Sequence, residues 1–101
     1  MFNFLKTIMS PTSPEKLKEL IGKGAELIDV RTREEYDEDH VAESRNIPLD
    51  EVALSLAQFD KEKTYVVVCV SGRRSGEAVN ILKKEGFMNV HNGGSWNSFL
   101  E

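Results

Sequence analysis

"KTYVVVCVSGRRSGEA", residues 63–78, decides how this chain reads. Tyr65-Val66-Val67-Val68 is an apolar, β-branched run with no polar residue alternating through it. It predicts a strand over 63–69 that is buried on both faces, as in a parallel sheet. The run ends on Cys69, the only cysteine, and then come Val70-Ser71-Gly72, Arg73 and Arg74. A helix is expected from about Ser75, because "SGEAVNILKKEG" (75–86) turns Ala78, Val79, Ile81 and Leu82 to one side and stops at Gly86. Ligands of open parallel sheets bind beyond the carboxyl ends of the strands, which is where this cysteine stands.

The loop after Cys69 has the makings of an anion cradle. Loop N–H groups and a helix N-terminus supply partial positive charge. Gly72 permits backbone conformations that a side chain hinders, and Arg73 and Arg74 add full charges. The same field favours a thiolate, pulling a cysteine below its free pKa of about 8.5. Cys69 therefore reads as a nucleophile for an anionic substrate. A lone cysteine at a strand end is more often a small buried hydrophobe, and adjacent arginines are more often a solvated pair. The combination of strand, cysteine, glycine, arginines and helix favours chemistry.

Composition bounds the rest. The 101 residues suit one small domain with one modest core, and 40% hydrophobic with 30% charged residues is a globular balance. A net charge of -4 and a pI near 5.2 give no overall attraction to nucleic acid or to an anionic membrane, so any anion site is local. One cysteine cannot close an intramolecular disulfide, and His40 and His91 lack zinc-ligand spacing. Neither a metal nor another cofactor is expected. No apolar run approaches the roughly 18 residues needed to span a bilayer. "MFNFLKTIMSPTS" (1–13) lacks the pattern of a signal peptide. The expected organisation is an N-terminal arm, 1–12, and one domain, 13–101, in the cytoplasm.

Working outward, Ser13-Pro14 marks a helix start, with serine as cap and proline first, and Gly22 and Gly24 end it. "AELIDV" (25–30) predicts a short strand. "TREEYDEDH" (32–40) predicts a short acidic helix opened by a capping box of Thr32 and Glu35, its acidic run a solvated face. "SRNIPL" (44–49) reads as a second extended segment stopped by Pro48. Asp50 is expected to cap a helix through Val52, Leu54, Leu56, Ala57 and Phe59. "FMNVHN" (87–92) predicts a last strand, and "GGSWNSFLE" (93–101) a turn with a helical tail. Strands alternating with helices predict an α/β fold with a mostly parallel central sheet flanked by helices.

These motifs together resemble the rhodanese (sulfurtransferase) domain family. Cys69, Val70-Ser71, Gly72, Arg73, Arg74 and Ser75 match its active-site loop of cysteine, two residues, glycine, one residue, arginine, then serine or threonine. "LIDVRTREEYDEDHV" (27–41), "NIPL" (46–49), "AVNILKKEGFMNV" (78–90) and Gly93-Gly94 follow the family's order, so the resemblance covers about 13–96. It implies a three-layer rhodanese-like domain that passes a sulfane sulfur from thiosulfate or a persulfide donor to a thiol, a protein or cyanide. Cys69 would attack the donor and carry the sulfur as a persulfide. Amides from Val70, Ser71, Gly72, Arg73, Arg74 and Ser75 would cradle that anion, and Arg73 or Arg74 would steer the donor and the departing sulfite. The resemblance makes Asp29, Arg31, Glu35 and His40 structural supports, with Arg31 bonding Glu35 and His40 holding a loop.

Loop length separates neighbouring chemistries within that resemblance. Cys69 to Arg74 is six residues, whereas related dual-specificity phosphatases use a loop one residue longer to admit a tetrahedral phosphate. Arsenate reduction would need a second cysteine. Both are disfavoured, leaving a non-catalytic persulfide carrier or interaction module as the alternative to an enzyme. Three positions depart from the family pattern: Val70 where a cation is common, Val41-Ala42-Glu43-Ser44 after His40, and Trp96 soon after the glycine pair. His91 is expected at the surface, and Trp96 and Phe99 at the rim of the site or in the core.

Overall fold

Four parallel strands form one sheet in the order β2-β1-β3-β4, where β1 is Glu26–Asp29, β2 Arg45–Asn46, β3 Tyr65–Cys69 and β4 Val90–Ser95. The architecture comes from a computed structural model that describes residues 12–100. The expected arm, 1–12, lies outside the described residues except for Thr12. Helix α1 (Pro14–Gly22) precedes β1, and α2 (Arg33–Glu38), α3 (Leu49–Val52) and α4 (Arg73–Lys84) lie in the connections between successive strands. Among the described residues no helix is long and apolar enough to cross a membrane.

β3 is central, and its side chains show why the valine run lacks alternation. Tyr65, Val67 and Cys69 pack with Ile28, Val52, Ala78, Val79 and Leu82 on the face covered by α3 and α4. Val66 and Val68 pack with Leu17 and Leu27 on the opposite face, where α1 and Trp96 lie. Strand periodicity still sends neighbours to opposite sides, but both sides are core. At about 1.5–3 kcal/mol for each buried aliphatic side chain, this strand anchors both layers.

Local signals predict several elements well. The Ser13 hydroxyl accepts from the Lys16 amide at 3.3 Å and Pro14 opens α1. Thr32 and Glu35 make the expected reciprocal capping box on α2. Elsewhere tertiary contacts redraw the elements. The helix expected from Asp50 to Phe59 divides into α3, preceded by Pro48, and a 3-10 helix over Leu56–Gln58. Phe59 then turns inward, edge-on to Tyr65 at 5.0 Å and to Phe87 at 5.9 Å. The Tyr65 hydroxyl accepts from the Asp60 amide at 2.7 Å. Closing this aromatic cluster outweighs continuing a solvated helix, and Leu54 stays exposed.

The last strand also lies later than 87–92. It runs Val90–Ser95 and takes in the two glycines expected to turn. Its pairing with β3 shifts between Val67 and Val68, so Asn92 opposes Val67, Gly94 opposes Val68, and Gly93 is the extra residue of a bulge. A side chain at Gly93 would have its Cβ 2.7 Å from Val66 Cγ1 and 2.9 Å from Val68 Cγ1. Gly93→Ala should therefore cost about 1–3 kcal/mol by overpacking. Urea unfolding measures this, and an unchanged midpoint would refute the tight approach.

Candidate active site

Cys69 closes β3 at the carboxyl edge of the sheet and is only 1% exposed. The chain then doubles back. Gly72 adopts φ +95°, a left-handed conformation that strains any side chain. It serves as N-cap of α4, which begins at Arg73, two residues before the expected Ser75. The early start follows from that glycine, which lets the chain turn straight into the helix. The turn aims the Gly72 amide at Cys69 Sγ, 3.0 Å away, and brings the Ser75 hydroxyl to 3.4 Å.

Two effects oppose each other at the sulfur. Burial pushes the thiol's pKa up, while hydrogen bonds from the Ser75 hydroxyl and from the Ser75, Gly72 and Ser71 amides pull it down. The hydrogen bonds prevail, and the thiol sits below its ordinary range. The N-terminus of the 12-residue α4 points its positive end at the same place. Val70 is 51% exposed at the rim beside exposed Ser71.

The two arginines part company. Arg73 projects into solvent. Arg74 turns back across the site and grips Glu35 with two parallel bonds, Nη1 to Oε1 at 2.7 Å and Nη2 to Oε2 at 3.1 Å. Glu35 thus ties the start of α4 to the capping box of α2. Arg31 does bond Glu35, as the resemblance implied, but at its backbone carbonyl, 3.3 Å away, rather than at the carboxylate, and it also reaches the Asp39 carbonyl at 2.8 Å. Buried Arg31 also grips buried Asp29 through Nε and Nη2 at 2.8–3.0 Å. The Trp96 ring covers the guanidinium at 4.2 Å, which places Trp96 on the core side. His40 lies on Tyr36, rings stacked 3.8 Å apart, with Nδ1 2.6 Å from the Tyr36 carbonyl.

The model of the rhodanese-like domain matches residues 13–101. The chain belongs to that family. It is 45% identical over 69 residues to thiosulfate sulfurtransferase PspE of Escherichia coli (strain K12), covering 66% of this chain and 66% of that protein. It is 38% identical over 66 residues to the putative sulfur carrier protein YrkF of Bacillus subtilis (strain 168), covering 65% of this chain but 36% of that one. The chain thus spans just under two thirds of PspE and about a third of YrkF. Among solved structures, a rhodanese with anions from E. coli superposes with a TM-score of 0.68 at 38% identity, covering 77% of this chain and 95% of that one.

One residue of this rhodanese site gives no sign of itself in the sequence. Asn92, which reads only as the last residue of a strand before two glycines, reaches from β4 to the loop. Its Oδ1 accepts from the Ser75 hydroxyl at 2.7 Å and from the Gly94 amide at 3.0 Å, and its Nδ2 donates to the Gly72 carbonyl at 2.9 Å. The bulge at Gly93 is what sets Asn92 opposite the loop, and no local pattern announces it. His91 beside it is half-buried rather than on the surface; burial lowers its pKa, with Lys83 and Lys16 adding to the effect.

The Arg74 clamp has a pH signature. The hydrogen bond from Arg74, helped by the Thr32 amide, lowers the Glu35 pKa from 4.5 to about 2. A carboxyl with a depressed folded-state pKa contributes stability above its unfolded pKa and loses it as pH falls through the folded one. Wild type should therefore lose more stability than Glu35→Gln as pH drops from 4.5 to about 2. Thermal unfolding of both proteins across that interval tests it, and parallel profiles would contradict the clamp.

Proposed function

We propose that this protein is a sulfurtransferase in which Cys69 carries a sulfane sulfur from thiosulfate or a persulfide to a thiol, protein or cyanide acceptor. The observation that carries the reading is the Gly72 amide 3.0 Å from Cys69 Sγ at the mouth of α4. This preorganised donor favours a sulfur anion without reorganising during the reaction.

The Cys69 thiolate attacks the outer sulfur of thiosulfate. A new S–S bond forms, the bond to the sulfonate sulfur breaks, and sulfite leaves with its electron pair. The terminal persulfide sulfur then carries the negative charge among the loop amides of Val70 to Ser75. An acceptor thiolate attacks that outer sulfur, forms an acceptor persulfide and returns Cys69 as thiolate. No net oxidation occurs. Because Glu35 already neutralises Arg74, exposed Arg73 is the charge that meets the anionic donor at the loop. Asp29, Arg31, Glu35 and His40 support the scaffold. A lone free thiol suits a reducing, cytoplasmic setting.

Mass spectrometry after thiosulfate treatment should find one added sulfur on Cys69, and its absence would sink the persulfide. Continued thiocyanate production from thiosulfate and cyanide identifies an enzyme; a single equivalent identifies a carrier, the reading suggested by the B. subtilis relative. Arg73→Ala should raise the KM for thiosulfate about three- to tenfold, the range of one charge-assisted contact. Arg33→Ala, which removes a charge already paired with Glu51 at 2.8 Å, should leave it unchanged. Equal effects would refute the steering.

A further inference from the structure

Three groups around the loop have fixed hydrogen-bonding roles, and together they locate one hydrogen. The Gly94 amide can only donate, so the end of the Asn92 side chain it meets at 3.0 Å is the oxygen. The Gly72 carbonyl can only accept, so the end it meets at 2.9 Å is the nitrogen. The amide therefore has one orientation. Ser75 Oγ lies 2.7 Å from that same amide oxygen, which only accepts. The single Ser75 hydroxyl hydrogen consequently points at Asn92.

Ser75 Oγ also lies 3.4 Å from Cys69 Sγ. With its hydrogen on the Asn92 side, Ser75 presents lone pairs to the sulfur. That suits a protonated thiol, which can donate S–H, and opposes a thiolate, which needs donors. When the sulfur is anionic, a rotation about the serine Cβ–Oγ bond brings the hydrogen to Sγ. Asn92 Oδ1 then keeps the Gly94 amide, so no buried acceptor is left bare.

We propose that Asn92 is a positioning residue that competes with Cys69 for the Ser75 hydroxyl hydrogen, holding it while the thiol is protonated and yielding it when the sulfur is a thiolate. Once the sulfur carries a transferred atom, charge moves to the outer sulfur and the hydrogen returns to Asn92. The device spans β3, α4 and β4, and depends on the bulge that brings Asn92 over the loop.

Arg74 of α4, clamped to Glu35 of α2, acts by charge on the same thiol; Arg73 of α4, the Asp29–Arg31 pair at the end of β1 and His91 of β4 are further charged or titratable groups on the elements around it. They stay in place in every variant below, so a double-mutant cycle cancels them. The pH dependence of iodoacetamide alkylation reads the thiolate directly, because Cys69 is the only cysteine. No sulfur donor takes part, so the result is independent of the sulfurtransferase reading.

Asn92→Leu keeps the volume and removes the acceptor. It should increase the thiolate fraction below the titration midpoint about three- to tenfold, the scale of one hydrogen bond. Ser75→Ala should decrease that fraction, and adding Asn92→Leu to Ser75→Ala should produce no increase. An equal increase in both backgrounds, or none with Ser75 present, would overturn the proposal. Where Asn92→Leu fails to fold, Asn92→Asp decides. Its carboxylate holds the hydrogen harder, so it should decrease the thiolate fraction more with Ser75 present than in Ser75→Ala, and equal decreases would overturn the proposal.

Discussion

Cys69→Ser should abolish sulfur transfer and leave the fold standing. A serine hydroxyl fits the space and finds the partners that the thiol has, the Gly72 amide and the Ser75 hydroxyl. At neutral pH it has no comparable anion, so the attacking group is gone. Loss of a nucleophile commonly lowers turnover by several orders of magnitude, and a fall of about a thousandfold or more in the thiosulfate:cyanide reaction is expected. Burying a hydroxyl with both partners in reach costs about 1 kcal/mol, so urea unfolding should shift only slightly. Retained turnover in a folded Cys69→Ser protein would show that the nucleophile lies elsewhere.

Arg31→Ala should have the largest effect on stability. Asp29 and Arg31 are both buried, and the guanidinium holds the carboxylate, two backbone carbonyls and the Trp96 ring together. Removing it strands an uncompensated carboxylate in the core and empties the space beneath Trp96. Breaking one partner of a buried pair costs about 3–5 kcal/mol, which for a small domain is a large fraction of a total of about 5–15 kcal/mol. Replacing both partners at once with Asp29→Leu and Arg31→Met should cost less than Arg31→Ala alone, because no buried charge remains. Denaturant unfolding of the three proteins checks both the size and the order. A small effect of Arg31→Ala would mean that water or a neighbour already solvates Asp29.

These two sites differ in how far the sequence discloses them. Cys69 stands out through its immediate neighbours, a strand before it and a glycine turn and helix after it. The Asp29–Arg31 pair is visible as a charged doublet at a strand end. Its third and fourth contacts, with Asp39 and Trp96, come from segments 8 and 65 positions beyond Arg31.

What the sequence determined by itself is local. β-branched valines at 66–68 specify a strand, Ser13-Pro14 and Thr32-Glu35 start helices, Gly72 allows the reversal, and a cysteine at that reversal points to the proposed chemistry. Each signal acts through backbone sterics or a hydrogen bond spanning a few residues, so neighbours in sequence suffice to read it. The tertiary structure alone decided that Arg74 answers to Glu35, 39 positions away, leaving Arg73 as the exposed cation. It also decided that β4 bulges at Gly93 and delivers Asn92 to the loop. These partners meet because the parallel order β2-β1-β3-β4 brings the end of β3 beside β4 and opposite α2. Such side chains pair by proximity across the sheet, and nothing in their own stretches of chain encodes which partner they find.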